Sequence, residues 1–147
     1  MATVVRTASI QAEPAEVWAV LADFAAISTW APNVDHSCLL SGQTEGIGMA
    51  RRIQTGRTTL VETVHLFEPN EAIGYQLTGL PPVIKSVTNT WTLESRDGAT
   101  AATLTSEIDA GARPPQKAIA RAVGRTLGKV SDQMLGGLAA HFEGNDA

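Results

Sequence analysis

The sequence has little of what marks a secreted, membrane-spanning or disulfide-stabilised protein. Its 147 residues include one cysteine, which excludes an internal disulfide and favours a reducing compartment. No apolar run approaches the roughly 20 residues that a membrane span requires. The N-terminal residues also lack the apolar core of a signal peptide. We therefore expect a cytoplasmic protein without an integral membrane segment.

Basic charge is scarce as well. The formal net charge is −4, from 11 Lys and Arg against 15 Asp and Glu, and the basic residues are spread along the chain. Such a protein has no general field that would attract nucleic acid, and we expect no such partner. The three histidines show no metal-ligand spacing, and no glycine-rich loop joins a strand to a helix, so neither a metal nor a cofactor is expected.

Apolar residues are plentiful, at 44% of the chain. A chain of this length and composition suits one domain with a substantial core, or with a core that encloses a cavity. No linker, internal repeat or low-complexity segment divides it. We expect a single domain over residues 1–144 and a flexible tail over residues 145–147.

Hydrophobic periodicity predicts an α+β fold. The segment "TVVRTASIQA" alternates as a strand, and two short helices follow, the first beginning at Pro14 and the second ending before Pro32. Six further strands are expected in antiparallel order. A long helix then runs from Pro114 or Pro115 to about Phe142. Its predicted apolar stripe, at steps of three and four, is Ile119, Val123, Leu127, Val130, Met134, Leu138 and Phe142. Together these elements predict a curved antiparallel sheet wrapped around the C-terminal helix.

The stretch "GMARRIQTGRTTLVETVHLFEP" places two charges on an apolar strand face. A turn at Gly56-Arg57 sets Arg51 directly opposite Glu62. Alternation then points both side chains inward, on the face that also carries Leu60. Burying an isolated charge is costly, so this pair needs an explanation.

The next hairpin extends the same inward face. Pairing of "AIGYQLTG" with the preceding strand sets Tyr75 opposite Val64 and Leu77 opposite Glu62. On the strand "NVDHSCLLSG", which leads into the first hairpin, alternation with Val34 turns His36 inward too. The predicted cavity face therefore combines apolar side chains with a few polar ones.

The helical segment "PAEVWAVLADFAAISTWAPNV" also carries a family resemblance. Its matching residues are Val17, Trp18, Asp23, Phe24, Trp30 and Pro32. With "GIGMAR", "GRTTLVE", "NTWTLES" and the order of elements, it resembles the START-like (SRPBCC) superfamily of helix-grip proteins. The resemblance is to bacterial polyketide cyclase/dehydrase or lipid-transport proteins in particular. It covers nearly the whole chain and implies a ligand-binding domain, without specifying an activity.

Plant abscisic-acid receptors share that architecture. The segment "VDHSCLL" resembles the strand that supplies their ligand-anchoring lysine, and His36 stands at that place here. Glu62 resembles a cavity glutamate of those receptors. The turn at Gly56 and the loop "GLPPV" are placed like their two mobile entrance loops. Neither loop has the receptor sequence, so a phosphatase partner is not implied.

Two roles remain open for the charged pair. In the first, Arg51 and Glu62 form a wet structural ion pair at an open rim. In the second, they line a pocket and hold the polar end of an apolar ligand, with arginine suited to a carboxylate or ketone and glutamate to a hydroxyl. We favour the second. The predicted ligand-binding residues are Arg51, Glu62, Tyr75, His36, Trp30, Leu77 and Met134.

Two main functional hypotheses follow. The first is a carrier or sensor that encloses a small hydrophobic molecule, such as a lipid, polyketide or isoprenoid. The second is a polyketide cyclase or dehydratase in which Glu62 or His36 transfers a proton. An arginine beside Glu62 stabilises its charged form, which makes it a weaker base and disfavours the second hypothesis. An interaction module is a plainer alternative, and a homodimer is left open.

Overall fold

The computed structural model describes residues 2–143. It contains seven strands, two α-helices and one 3₁₀ helix. The strands are β1 (Ala2–Ile10), β2 (His36–Leu39), β3 (Ala50–Thr55), β4 (Thr58–Glu68), β5 (Ala72–Thr78), β6 (Ser86–Arg96) and β7 (Ala99–Asp109). The helices are α1 (Pro14–Ala22), the 3₁₀ helix (Phe24–Thr29) and α2 (Pro114–Glu143). The predicted tail at residues 145–147 lies outside the described residues.

All seven strands form one antiparallel sheet in the order β1-β7-β6-β5-β4-β3-β2. The sheet curves around α2, and the two short helices follow β1. This is the helix-grip fold, and the predicted fold class is confirmed. Within residues 2–143, no helix is both long and apolar enough to cross a membrane.

Local sequence explains where α1 begins. Pro14 occupies the first turn, where its missing N–H would have had no partner in the helix. The Glu16 carboxylate accepts a hydrogen bond from the Glu13 backbone N–H at 3.3 Å, which satisfies another donor at the helix end. Val17, Trp18 and Leu21 are buried, so one face of α1 packs onto the core.

The register of the β3–β4 hairpin is as predicted, with Arg51 paired with Glu62 across the strands. The β4–β5 register agrees only as far as Val64, because a β-bulge follows at His65. The extra residue reverses the faces beyond it, so Phe67 turns inward and packs edge-on against Trp18, with ring centroids 5.1 Å apart. Unbroken alternation along β4 would instead place Leu66 inward and Phe67 outward.

Helix α2 packs against β1 and β7, at one end of the sheet. Its predicted stripe is correct in the second half, where Met134, Leu138 and Phe142 are buried. In the first half the buried positions are instead Ala120, Gly124, Gly128 and Ser131, one residue along from the prediction. Small residues let the helix backbone approach the strands closely. The larger residues of the predicted stripe are only half-buried.

Some of the α2 glycines allow close packing. A Cβ on Gly124 would lie 3.2 Å from Val4 of β1, and one on Gly137 would collide with the Trp30 carbonyl and with Pro32. Gly136, by contrast, has open space around it. None of the three lines the cavity described below. Close packing of α2 on its neighbours therefore accounts for Gly124 and Gly137.

Candidate functional site

A cavity of about 360 Å³ lies between the sheet and the flank of α2 that faces away from β1. Because α2 packs on β1 and β7, strands β3 to β5 curve past the helix without closing onto it. Most of the lining is apolar. The lining residues are Ile27, Asn33, Val34, Ile53, Thr55, Thr58, Leu60, Glu62, Leu77, Asn89, Thr126, Leu127, Val130, Gln133 and Met134.

Arg51 and Glu62 form a buried ion pair beside this cavity. Each residue is 3% exposed. The Arg51 Nε and Nη2 atoms lie 2.7 and 2.6 Å from the same Glu62 oxygen, Oε1. A wet pair at an open rim is inconsistent with this burial. The pair is a charge-assisted, two-nitrogen contact in a low-dielectric environment.

The remaining contacts of Arg51 hold it behind the cavity wall. Its Nη1 donates to the Phe24 backbone carbonyl at 2.9 Å. Its guanidinium carbon lies 3.7 Å from the centre of the Phe24 ring and 4.8 Å from that of Tyr75. All three guanidinium nitrogens thus have a partner, and Arg51 is absent from the cavity lining. Arg51 positions Glu62 and balances its charge. The expectation that Arg51 directly holds a ligand carboxylate or ketone does not fit these contacts.

Glu62 itself faces the cavity. Among the described residues, both of its hydrogen-bonded contacts fall on Oε1, so Oε2 has no protein partner. An ionised carboxylate oxygen accepts hydrogen bonds and donates none. The polar feature that Glu62 offers a ligand is therefore a single acceptor, supported from behind by a cation.

Tyr75 lies under the pair and is 1% exposed. Its hydroxyl accepts a hydrogen bond from the Trp91 indole N–H at 3.2 Å, and its ring meets Phe24 edge-on at 5.5 Å. Burial raises the pKa of Tyr75 to about 12. The nearby Glu62 charge also raises this pKa, and its effect is larger than the opposite effect of the Arg51 charge. The hydroxyl stays protonated at neutral pH. Tyr75 is not among the cavity-lining residues.

Two asparagines extend the polar part of the site, and both were missed in the sequence. Asn89 is 7% exposed, lines the cavity and accepts a hydrogen bond from the Ser106 hydroxyl at 2.6 Å. Its alternation with Val87 and Trp91 on β6 was the signal that could have revealed it. Asn33 also lines the cavity, and its buried Oδ1 has no hydrogen-bond partner among the described residues.

The structure divides the seven predicted ligand-binding residues. Glu62, Leu77 and Met134 line the cavity. Arg51 and Tyr75 lie directly behind it. Trp30 and His36 lie elsewhere.

The inward orientation predicted for His36 is wrong, because its side chain is exposed. A bend at Asp35 separates Val34 from β2, so alternation could not be carried from one to the other. Ser37 takes the inner position, and its hydroxyl donates to the Ala25 carbonyl at 2.6 Å. Cys38, two residues further along β2, is exposed as well.

Trp30 is buried but does not line the cavity. Its ring packs edge-on against Trp91 at 5.9 Å, and its Nε1 has no hydrogen-bond partner within residues 2–143. The residue also borders an open groove beside Gly136 and Gly137 of α2. Its role in the described residues is core packing next to the site.

The rim of the cavity includes the tip of the β3–β4 hairpin, through Thr55 and Thr58. This agrees with the predicted place of one entrance loop. The second predicted entrance loop, residues 79–83, borders a separate groove near Leu80 and Ile84. Within residues 2–143, no cluster of three or more His, Cys, Asp or Glu side chains is placed to hold a metal ion.

Comparison with solved structures supports the fold assignment. The Zhui aromatase/cyclase from a Streptomyces species aligns with a TM-score of 0.79 at 20% identity, covering 97% of this chain and 93% of that one. A Thermobifida fusca protein aligns with a TM-score of 0.81 at 25% identity, with the same coverage of 97% and 93%. A START superfamily protein from Mycobacterium smegmatis aligns with a TM-score of 0.74 at 14% identity, covering 96% and 97%.

Comparison of the sequence itself gives a family. None of the curated proteins matches it. Residues 1–143 match the family described as polyketide cyclase / dehydrase and lipid transport, which spans both hypotheses made above. The resemblance to START-like helix-grip proteins is confirmed by this match and by the structural neighbours. On the evidence of a match over almost its whole length, the chain belongs to the polyketide cyclase / dehydrase and lipid transport family.

Proposed function

We propose that the protein encloses a small, neutral, largely apolar molecule that carries a hydroxyl group, and that it acts as a carrier or sensor of that molecule. Lipids, polyketides and isoprenoids include such compounds. The observation that carries the proposal is the cavity of about 360 Å³, apolar over most of its lining, with the acceptor of Glu62 in its wall. Its volume falls in the range of about 300–1,000 Å³ typical of small-molecule sites.

The charges around the cavity favour a hydroxyl over a carboxylate. Among the described lining residues, Glu62 is the charged one, and its counter-charge, Arg51, lies behind it. A ligand carboxylate would face Glu62 and find no cation in the wall. A ligand hydroxyl would donate to Oε2, and a second donor would satisfy the buried Oδ1 of Asn33.

Affinity would come mainly from the apolar contacts. Burial of apolar surface contributes roughly 25 cal/mol per Å², so most of a small ligand's binding free energy would arise from Leu60, Leu77 and their neighbours. The hydrogen bond to Glu62 would decide which apolar molecules are accepted, because a buried acceptor left unpaired is penalised. The single cysteine leads us to place this activity in the cytoplasm.

Native mass spectrometry of freshly purified protein tests whether a hydrophobic molecule is carried. Titration with 2-naphthol and 2-naphthoate then compares a neutral hydroxyl with a carboxylate on one apolar body. We expect naphthol to bind at least about tenfold more tightly, which corresponds to about 1.4 kcal/mol. Equal or tighter binding of naphthoate would contradict the assignment of Glu62 as an acceptor site.

A matched pair of substitutions on α2 locates the binding site. Val130 lines the cavity, whereas Val123, two turns earlier, does not, and both are half-buried. Val130→Phe fills the cavity and should abolish naphthol binding. Val123→Phe makes the same change of volume outside it and should leave binding within about twofold. Equal effects of the two would place the bound molecule elsewhere.

The second candidate function is a polyketide cyclase or dehydratase, which the family description and the name of one structural neighbour support. Glu62 is the titratable group that lines the cavity among the described residues, so proton transfer would fall to it rather than to His36. Its Oε1 is held by two nitrogens of Arg51, so Oε2 would be the atom that accepts a proton from a substrate. Turnover of a poly-β-ketone thioester, lost in Glu62→Gln, would establish the enzyme in place of the carrier.

A further inference from the structure

Five basic residues recur every four positions from the residue before α2 to the middle of that helix. They are Arg113, Lys117, Arg121, Arg125 and Lys129, here called the basic stripe. They make up five of the 11 Lys and Arg residues, and no acidic residue lies between the first and the last. All five are exposed. The expectation that basic charge is merely spread along the chain is therefore wrong for this part of the molecule.

The basic stripe borders a groove of about 300 Å³ between α2 and β1. Arg121, Gly124 and Arg125 form one side, and five consecutive residues, Ala2 to Arg6, form the other. Side chains of a strand alternate between its two faces, so a consecutive run means that the backbone edge itself forms this wall. β1 ends the sheet, so within residues 2–143 its outer row of backbone N–H and C=O groups has no strand partner. Arg6 Nη1 donates to one carbonyl of this strand, that of Val5, at 3.1 Å.

This edge has few of the features that usually protect an edge strand from pairing. The strand is nine residues long, contains no proline and carries a single charge, Arg6. Asp132 of α2 forms an ion pair with Arg6 at 3.3 Å. Its negative charge is therefore paired with Arg6 rather than with the basic stripe. The opposite edge strand, β2, has four residues. β1 is thus the edge better suited to accept another strand.

We propose that β1 accepts an acidic, extended segment of a partner protein as an eighth strand. The segment would form backbone hydrogen bonds with the open edge of β1. Its carboxylates, on every second residue, would point toward α2 and contact Arg121 and Arg125 as charge-assisted pairs. The residues between them would lie on the outer face of the sheet beside Val5, which is 51% exposed.

The periodicity of the groove selects this partner over two others. On β1, Ala2 and Val4 contact the Gly124 position of α2, so even-numbered side chains face the helix and Val5 faces away. An alternating acidic and β-branched segment matches both faces at once. A second copy of this chain would bring its own basic stripe to the groove, and the two would repel. An anionic membrane would not use the backbone edge, and the net charge of −4 opposes its approach.

A capped heptapeptide of alternating Glu and Val tests the proposal, with an alternating Lys and Val heptapeptide as its control. Amide resonances of the isotopically labelled protein report where each peptide binds. We expect the acidic peptide to shift the β1 amides and to slow hydrogen exchange at every second one, and the basic peptide to do neither. Binding of the acidic peptide without protection of β1 amides would overturn the proposed strand addition.

Charge-reversal variants test the role of α2. Arg121→Glu/Arg125→Glu should weaken peptide binding by at least about tenfold. Arg57→Glu/Arg96→Glu makes the same change in net charge at two exposed residues, one in the β3–β4 turn and one at the end of β6. It should alter binding by less than about threefold, through the general field alone. Equal losses in the two variants, or no binding of the peptide to the wild-type protein, would overturn the proposal. Sedimentation with phosphatidylglycerol vesicles but no peptide binding would replace it with a membrane surface.

Discussion

Arg51 reaches Glu62 through two nitrogens that share one carboxylate oxygen, Oε1. A guanidinium more commonly contacts both oxygens of a carboxylate in a parallel fork. Here the third nitrogen turns instead to the Phe24 carbonyl, which fixes the guanidinium over the Phe24 ring. The carboxylate is therefore neutralised from one side and left open on the other.

Breaking this pair from one side should be costly. Glu62→Leu leaves a buried guanidinium without its counter-charge, and Arg51→Leu leaves a buried carboxylate. We expect each to lower the free energy of unfolding by about 3–5 kcal/mol. The double variant should lose less than the sum of the two, because no charge is stranded. Urea unfolding of the four proteins gives the coupling energy.

Additive losses in that cycle would mean that the two side chains are independent in solution.

His36→Ala tests the position of His36 outside the cavity. Since His36 is exposed and absent from the cavity lining, the substitution should change unfolding free energy by at most about 0.5 kcal/mol and leave naphthol affinity unchanged. A clear loss of affinity would return His36 to the binding site.

Tyr75 is the one tyrosine in the sequence, so tyrosinate absorbance reports on it alone. With a pKa of about 12, the folded protein should show almost no tyrosinate at pH 10.5, whereas the urea-unfolded protein should titrate near pH 10. A spectrophotometric pH titration of both states measures the difference. Coincident titration curves in a protein still folded by circular dichroism would refute the burial of the hydroxyl.

The same shift predicts how stability depends on pH. Above pH 10 the unfolded chain loses the tyrosine proton while the folded protein keeps it, so the folded state binds more protons and stability falls as pH rises. The loss should begin near pH 10 and level off near pH 12. Tyr75→Phe should lack this component, and comparing the two proteins by urea unfolding isolates it from other groups that titrate there.

Adjacent glycines on α2 should respond to alanine in opposite directions. At Gly136 a Cβ meets no atom within 4 Å, so Gly136→Ala should stabilise the helix by up to about 1 kcal/mol. At Gly137 a Cβ would collide with the Trp30 carbonyl and Pro32, so Gly137→Ala should destabilise the protein. Thermal unfolding measures both, and equal shifts would contradict the close approach of α2 to residue 30.

Much of the fold was predictable because a few local signals fix it. The turn at Gly56 sets the β3–β4 register, and a register once set decides every facing pair, including Arg51 with Glu62. The same rule predicted the pairing of Val64 with Tyr75. Prediction failed where an irregularity interrupted the alternation. The bulge at His65 and the bend at Asp35 have no distinct residue pattern, and each reversed the faces beyond it.

The site was less predictable than the fold, because its boundaries depend on the distances between elements. Alternation predicted that Arg51, Glu62 and Tyr75 share a face, which the structure confirms. It could not indicate that Arg51 lies behind the wall while Glu62 lies in it. That difference arises from the Phe24 carbonyl, which is distant in sequence. The position of α2 over one end of the sheet likewise comes from packing of glycine against β1.

That placement of α2 separates two tasks within a small protein. The half of the sheet formed by β1 and β7 bears the helix, and substitutions there disturb tightly fitted backbone. The half formed by β3 to β5 faces the cavity, so Ile53, Leu60 and Leu77 can be replaced by larger or smaller apolar residues. Redesign of ligand preference should therefore begin on β3 to β5, where changes of side-chain size alter the cavity and leave the packing of α2 on β1 and β7 undisturbed.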